Sequence, residues 1–221
     1  MKLYLSSYRL GDQPEKFLEA NARNNRVAVI QNAHDRWINP VKRKSVLERE
    51  LGDLIGLGLE PVELDLREFF GRQEALREEI SKFAYCWAMG GNCFVLRRAY
   101  ALSGFDLMLH EFAKEEAGLI YGGYSAGVCV MCPTLDGIHL ADEPDSNPEG
   151  YGGDVIWSGL GLYPQCIVPH YRSDHFESGL MEDVVGYLIA KKTPFIALHD
   201  GEAVVFDTLT GKQQILGKKE A

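Results

Sequence analysis

Short apolar runs alternate along the chain with segments of helical spacing. Lys2 to Ser6 reads as a first strand. Arg26-Val27-Ala28-Val29-Ile30 is nearly continuous in its apolar character, as a strand covered on both faces requires. Pro61-Val62-Glu63-Leu64, Phe83 to Ala88 and Leu119-Ile120-Tyr121 continue the series. The intervening segments predict helices over Pro14 to Ala22, Val41 to Leu57, Gln73 to Phe83, Cys93 to Leu102 and Phe105 to Ala117. In the second of these, Val46, Leu47, Leu51, Leu54 and Ile55 share a face. Val128-Cys129-Val130-Met131 opens a further buried helix. Thr134 to Gly153 breaks the pattern as an irregular acidic loop that either borders a site or is a solvated excursion. Order returns with a strand at Cys166-Ile167-Val168 and a helix from Ser178 to Ile189. Strands at Pro194 to Leu198, Ala203 to Phe206 and Gln214 to Leu216 complete the chain.

This alternation predicts an α/β fold, with a mostly parallel sheet and helices on both faces. No repeat, low-complexity tract or linker interrupts it, so residues 1–221 are expected to form a single domain. Ligands bind such sheets beyond the carboxyl ends of the strands. Two glycine-rich segments fall there, Gly90-Gly91-Asn92 and the G-x-S-x-G pentapeptide Gly123-Tyr124-Ser125-Ala126-Gly127. A sharp strand-to-helix turn holds the middle serine at the lip of the sheet. Glycines on either side make room for that turn, and the first N–H groups of the helix face the place where an oxyanion would form. A glycine-rich turn with a helix-capping serine has the same letters.

A serine hydroxyl needs a base within hydrogen-bond reach, and the base needs an orienting acid. The six histidines are His34, His110, His139, His170, His175 and His199. His170 and His199 follow strands, and His175 lies just past His170. His34 is in a loop after the second strand, His110 in a helix and His139 in the acidic loop. Two triads fit: Ser125 with His170 and Asp200, or Ser125 with Asp174 and His199 in the chain order of α/β-hydrolases. The residues after His199 read as a strand and a hairpin turn rather than the C-terminal helix of that fold, which favours the first triad.

Composition narrows the function classes. A hydrophobic fraction of 46% and a charged fraction of 25% are those of an ordinary globular protein. The net charge of -9 argues against a nucleic-acid-binding face and, at long range, against an anionic substrate. No apolar run is long enough to span a membrane, and the start of the chain is too quickly polar for a signal peptide, so a cytoplasmic location is expected. The odd count of five cysteines argues against a disulfide framework, and the Cys129/Cys132 pair inside an apolar helix reads as core thiols. The sequence leaves open whether the chain is a monomer or a homodimer.

Met89-Gly90-Gly91-Asn92-Cys93-Phe94, the Ser125 pentapeptide, Pro169-His170-Tyr171 and Asp200-Gly201 together resemble peptidase E. That is serine peptidase family S51, the α-aspartyl dipeptidases related to cyanophycinases. The pieces occur in the family's order, and the strand–helix pattern matches over most of the chain. The resemblance implies a flavodoxin-like three-layer α/β/α sandwich, similar to class I glutamine amidotransferases, whose elbow residue is cysteine rather than serine. It implies Ser125 as nucleophile, His170 as general base and Asp200 as the acid, a position often held by glutamate in this family. It also implies Gly91 and Ala126 N–H groups as the oxyanion hole, Asn92 lining the substrate cleft, a small peptide as substrate, and no metal or organic cofactor. The sequence departs from the family at Glu177-Ser178-Gly179-Leu180-Met181. The arginine that holds the substrate's aspartyl group in peptidase E is missing, with Leu180 at that place. Arg172 is a candidate replacement, or else a surface cation. The implied function is a serine peptidase for short peptides such as Asp-X dipeptides. The alternatives are an amidase, esterase or cyanophycinase-like hydrolase on the same scaffold, and a non-catalytic binding module.

Overall fold

The computed structural model describes residues 1–37, 39–115 and 118–218, and most of its strands join in one twisted layer. β1 (Lys2–Ser6), β2 (Arg26–Ile30), β3 (Glu60–Glu63), β4 (Tyr85–Ala88) and β5 (Ile120–Tyr124) are parallel, in the order β3-β2-β4-β5-β1. β6 (Cys166–Val168) and β7 (Phe195–Ala197) form a separate two-stranded parallel sheet. β8 (Ala203–Asp207) and β9 (Gln213–Leu216) extend the main sheet beyond β1 as antiparallel strands. The helices are α1 (Pro40–Gly56), α2 (Gln73–Ile80), α3 (Cys93–Ser103), α4 (Phe105–Phe112), α5 (Ala126–Cys129) and α6 (Ser178–Lys191). Among the described residues no helix is long and apolar enough to cross a membrane.

Period-two alternation sorts the strand side chains into two cores. Leu3, Leu5, Ala28, Ile30, Cys86 and Ala88 face α2 to α6. Tyr4, Val27, Val29, Tyr85 and Trp87 face α1 through Leu47 and Leu54. Each fully buried large apolar side chain contributes about 1.5–3 kcal/mol. The result is the three-layer α/β/α sandwich of flavodoxin-like type that the family resemblance implies. The main sheet's parallel strands end at one edge, and the small sheet brings the ends of β6 and β7 beside it.

Tertiary contacts change several local expectations. Pro14 to Ala22 is not a helix: only Pro14–Lys16 makes a single tight turn. Backbone groups that a helix would use are taken elsewhere, since Lys2 Nζ donates to Leu18 O and the Tyr85 hydroxyl meets both N and O of Glu19. Phe17 instead buries its ring among Tyr4, Tyr85 and Trp87. In α1 the buried face holds Leu47, Glu50 and Leu54, while Ile55 is 60% exposed. Glu50 is tolerated inside because Trp87 Nε1 donates to its Oε1 at 2.6 Å. α4 ends at Phe112, and the expected end at Ala117 lies outside the described residues. α5 is a single turn, because the carbonyls of Val130, Met131 and Cys132 accept from Leu160, Tyr163 and Gly161 rather than from a continuing helix. The five cysteines are buried and unpaired, as core thiols.

Around the Ser125 turn the backbones of β4, β5 and α5 approach closely. A Cβ at Gly123 would lie 2.7 Å from the Ala88 carbonyl oxygen, and one at Gly127 would press still harder on the same atom. Neither obstacle is a flexible side chain, so the backbone would have to shift. Gly127→Ala is expected to lower stability by roughly 2 kcal/mol or more. A urea midpoint that falls with an unchanged slope would show it.

Candidate active site

β5 delivers Tyr124 to the carboxyl edge of the sheet, and the chain turns into α5 at Ser125. Ser125 has φ 49° and ψ -113°, a sparsely populated backbone region for a residue with a Cβ. Such a conformation costs about 1–3 kcal/mol and persists only where packing holds it. Here the Gly123 and Gly127 contacts with Ala88 do so. Ala126, the first residue of α5, is buried and its N–H has no acceptor within the helix. Gly91 follows β4 with φ 132°, and a Cβ there would lie 2.7 Å from Ala33 O. Gly91, Ser125 and His170 line one cleft of about 380 Å³.

His170 follows β6 and Asp200 follows β7, so the parallel pairing of these two short strands brings them together. His170 Nδ1 lies 2.8 Å from Asp200 Oδ1. A carboxylate only accepts, so Nδ1 carries a proton, and in the neutral ring Nε2 then keeps its lone pair. Ser7, just past β1 and fully buried, locks the arrangement. Its hydroxyl accepts from His170 N at 2.8 Å and donates to Asp200 Oδ1 at 2.9 Å. Asp200 N in turn donates to Ser173 Oγ at 2.7 Å. Burial would raise the Asp200 carboxyl, but the hydrogen bond and charge of His170, with the Ser7 bond, hold it below its ordinary value. No hydrogen bond joins Ser125 to His170 in this structure. His170 Nε2 instead has Glu177 Oε2 4.0 Å away.

His175 stacks on His170, with ring centroids 3.7 Å apart and planes within 7°. Tyr8 presents its ring to both imidazoles at 5.6 and 5.3 Å. Burial, then the neighbouring His170, pushes the His175 pKa down. Ligand atoms of His170, His175 and Glu177 lie within 4.8 Å of one another, a spacing that metal sites use. The two imidazoles are parallel, however, so their in-plane lone pairs run side by side rather than converging on one ion. The acidic loop borders this site. Asp142 Oδ2 accepts from Cys93 N at 2.7 Å and lines the cleft, and burial pushes its carboxyl up.

Asn92 lies at the cleft, but its side chain is used in the fold: Oδ1 accepts from Val95 N and Nδ2 donates to Glu143 O. Arg172 is not brought to the cleft. It is 64% exposed, and its Nε donates to Glu182 at 2.7 Å. The rival base His199 does not line the cleft either, and its Nδ1 sits 3.3 Å from Arg172 O. The cations that do line the cleft come from the segment after β2: Arg36, Lys42 and Arg49. Lys42 Nζ lies 4.5 Å over the Trp37 ring, which itself stacks on His34. His34 is buried beside them. Burial and the charges of Arg43, Lys42, Arg49 and Arg36 push its pKa down to about 3. Ser7, Tyr8, Lys42, Arg49 and Glu177 carry no local sequence signal, and only His175, five residues from His170, stood out beforehand as a histidine near a strand end.

His34 stays neutral in the folded chain down to about pH 3, whereas unfolded it takes up a proton near pH 6.5. Between those values the unfolded state binds more protons, so stability is present above pH 6.5 and lost as pH falls. Between pH 7 and pH 5 wild type is expected to lose more unfolding free energy than His34→Gln, by on the order of 1–2 kcal/mol. Paired denaturant titrations at the two pH values would measure it.

Residues 15–213 match the family model described as Peptidase family S51. A Listeria innocua protein named an uncharacterized peptidase is 29% identical over 162 residues, which is 71% of this chain and 73% of that protein. Citrobacter koseri peptidase E is 33% identical over 84 residues, 38% of this chain and 32% of that protein. A crystal structure of a Listeria monocytogenes EGD-e protein assigned to peptidase E aligns with a TM-score of 0.77 at 22% identity. That alignment covers 99% of this chain and 98% of the other, and it is a likeness of fold. On the match over residues 15–213, the chain belongs to peptidase family S51 and is a serine-type peptidase.

Proposed function

We propose that the chain hydrolyses short peptides through Ser125, His170 and Asp200. The observation that carries this is the His170–Asp200 hydrogen bond, which leaves Nε2 as the basic nitrogen in the cleft that Ser125 lines. Substrate binding draws the Ser125 hydroxyl and Nε2 together, a contact that free enzymes often hold too long. Ser125 Oγ attacks the scissile carbonyl while His170 takes its proton. Asp200 holds the imidazole tautomer and stabilises the imidazolium. The Gly91 and Ala126 N–H groups receive the oxyanion, each such donor supplying about 3 kcal/mol of transition-state stabilisation. His170 then protonates the leaving amine, and water attacks the acyl-enzyme by the reverse proton path. No step calls on a metal.

The substrate class follows from the cleft's charge. The pocket arginine of the family is missing, and Leu180, at that place, is 40% exposed on α6. Lys42 and Arg49 line the cleft from α1 and take over as partners for a substrate carboxylate, such as an N-terminal aspartyl side chain. Their local field overrides the net charge of -9 within a Debye length of about 8 Å.

Hydrolysis of Asp-Leu, Ala-Leu and Leu-Leu by wild type and Ser125→Ala tests the core of the reading, and activity that survives in Ser125→Ala would defeat it. His170→Ala is expected to cost on the order of a million-fold in rate and His199→Ala little. Asp200→Asn is expected to cost about 10⁴-fold. Lys42→Met is expected to raise KM for Asp-Leu roughly tenfold while moving KM for Leu-Leu little. An equal change for both peptides would remove Lys42 from carboxylate recognition.

A further inference from the structure

We propose that His34 is a third donor to the oxyanion, its Nε2–H joining the Gly91 and Ala126 N–H groups at the substrate carbonyl. The inference rests on the hydrolase reading above. His34 closes the tight turn Asn32–His34 after β2 and lines the cleft with Gly90, Gly91 and Ser125. A Cβ on Gly90 would lie 3.1 Å from Ser125 Cβ, and one on Gly91 would lie 2.8 Å from His34 Cδ2. The Gly90-Gly91 segment therefore links the serine to the imidazole by close contact. Backbone bonds fix that contact: Asn92 N donates to Ala33 O at 3.0 Å, and His34 N to Gln31 O at 2.9 Å. Trp37 stacks on the ring at 3.8 Å and sets its plane. Nε2 is bonded to Cδ2, so it sits on the ring edge turned to Gly91.

The other side of the ring decides which nitrogen carries the proton. Nδ1 is buried without a hydrogen-bond partner, and so are Nε and Nη2 of Arg43. Burial, and then the charge of Arg43, act most on His34 and keep the ring neutral. Arg43 is not a residue of the cleft. Its Nη2 lies 3.3 Å from the buried Asp35 carboxylate, and its carbonyl accepts from Gln31 Nε2. A guanidinium only donates, so the neutral ring turns its lone pair, on Nδ1, to that side and carries its proton on Nε2. A neutral N–H bonds modestly to a ground-state carbonyl and much more strongly to the oxyanion that replaces it. Such a donor acts on kcat rather than on KM.

Two variants of opposite design test this on Asp-Leu. His34→Phe keeps a ring against Gly91 and Trp37 but has no donor. It is expected to lower kcat on the order of 100-fold with KM little changed. His34→Gln gives up the ring but keeps an N–H, and is expected to retain roughly tenfold more kcat than His34→Phe. The reverse order, expected if the imidazole only packs, would overturn the proposal, and so would a His34→Phe protein with wild-type kcat. Should the variants misfold, nitrogen NMR of the wild-type imidazoles reads the same bond. The expected result is a proton on His34 Nε2 at neutral pH, and an Nε2 resonance that moves when a short peptide aldehyde forms its tetrahedral adduct with Ser125. A proton on Nδ1, or an Nε2 resonance that the adduct leaves in place, would sink this proposal alone. An aldehyde that forms no Ser125-dependent adduct would sink the hydrolase reading and this proposal with it.

Discussion

The close approach of three backbones at Ala88 is the constraint from which the site follows. β4 ends there, and Gly123 of β5 and Gly127 of α5 both lie against its carbonyl oxygen with no room for a Cβ. Because that packing leaves the chain no other path, Ser125 is held at a positive φ between strand and helix. The strain is stored in one residue and repaid by apolar burial on both faces of the sheet. A looser junction would let the serine relax into an ordinary helix cap and turn its hydroxyl back toward the α5 backbone.

The second half of the site hangs on a polar hub rather than on packing. Ser7 joins three distant parts of the chain: the end of β1, His170 in the segment after β6 and Asp200 in the segment after β7. Its hydroxyl accepts the His170 backbone N–H, which fixes where the ring hangs, and donates to Asp200, which fixes the ring's tautomer. Buried polar groups of this kind are favourable only when every member is satisfied. Here Ser173 completes the set by accepting from Asp200 N. The small two-stranded sheet is therefore coupled to the main sheet by hydrogen bonds to His170 and Asp200.

Charge then separates the cleft into two chemistries. The segment from Arg36 to Arg49 brings cations to it, strongly enough to help keep His34 neutral far below its ordinary pKa. Asp142 and Glu177 bring carboxyl groups whose pKa burial pushes up. The match to peptidase family S51 is why the peptidase reading is preferred over an esterase on the same scaffold. Arg172, the cation nearest to His170 in sequence, takes no part, because its left-handed backbone and its pairing with Glu182 carry it to the surface.

Much of this protein was legible from the order of its residues. Strand and helix periodicities, the G-x-S-x-G turn and the glycines after β4 are local patterns, and local sterics enforce them wherever the chain goes. Ser125, Gly91, His170 and Asp200 could be named as candidates because each follows a strand, where an α/β sheet exposes side chains. The failures share one cause. Pro14 to Ala22 has helical letters, but Lys2 and Tyr85 claim its backbone groups; α5 looks longer, but residues 160–163 take its carbonyls. Ile55, placed by its spacing on the apolar face of α1, is exposed, and Glu50 is buried where Trp87 gives it a hydrogen bond. Ser7, Lys42, Arg49 and Glu177 are ordinary residues in ordinary surroundings along the chain. Only tertiary structure could assign them, because a buried hydrogen bond or a charge in a cleft is a property of groups brought together from opposite ends of the sequence.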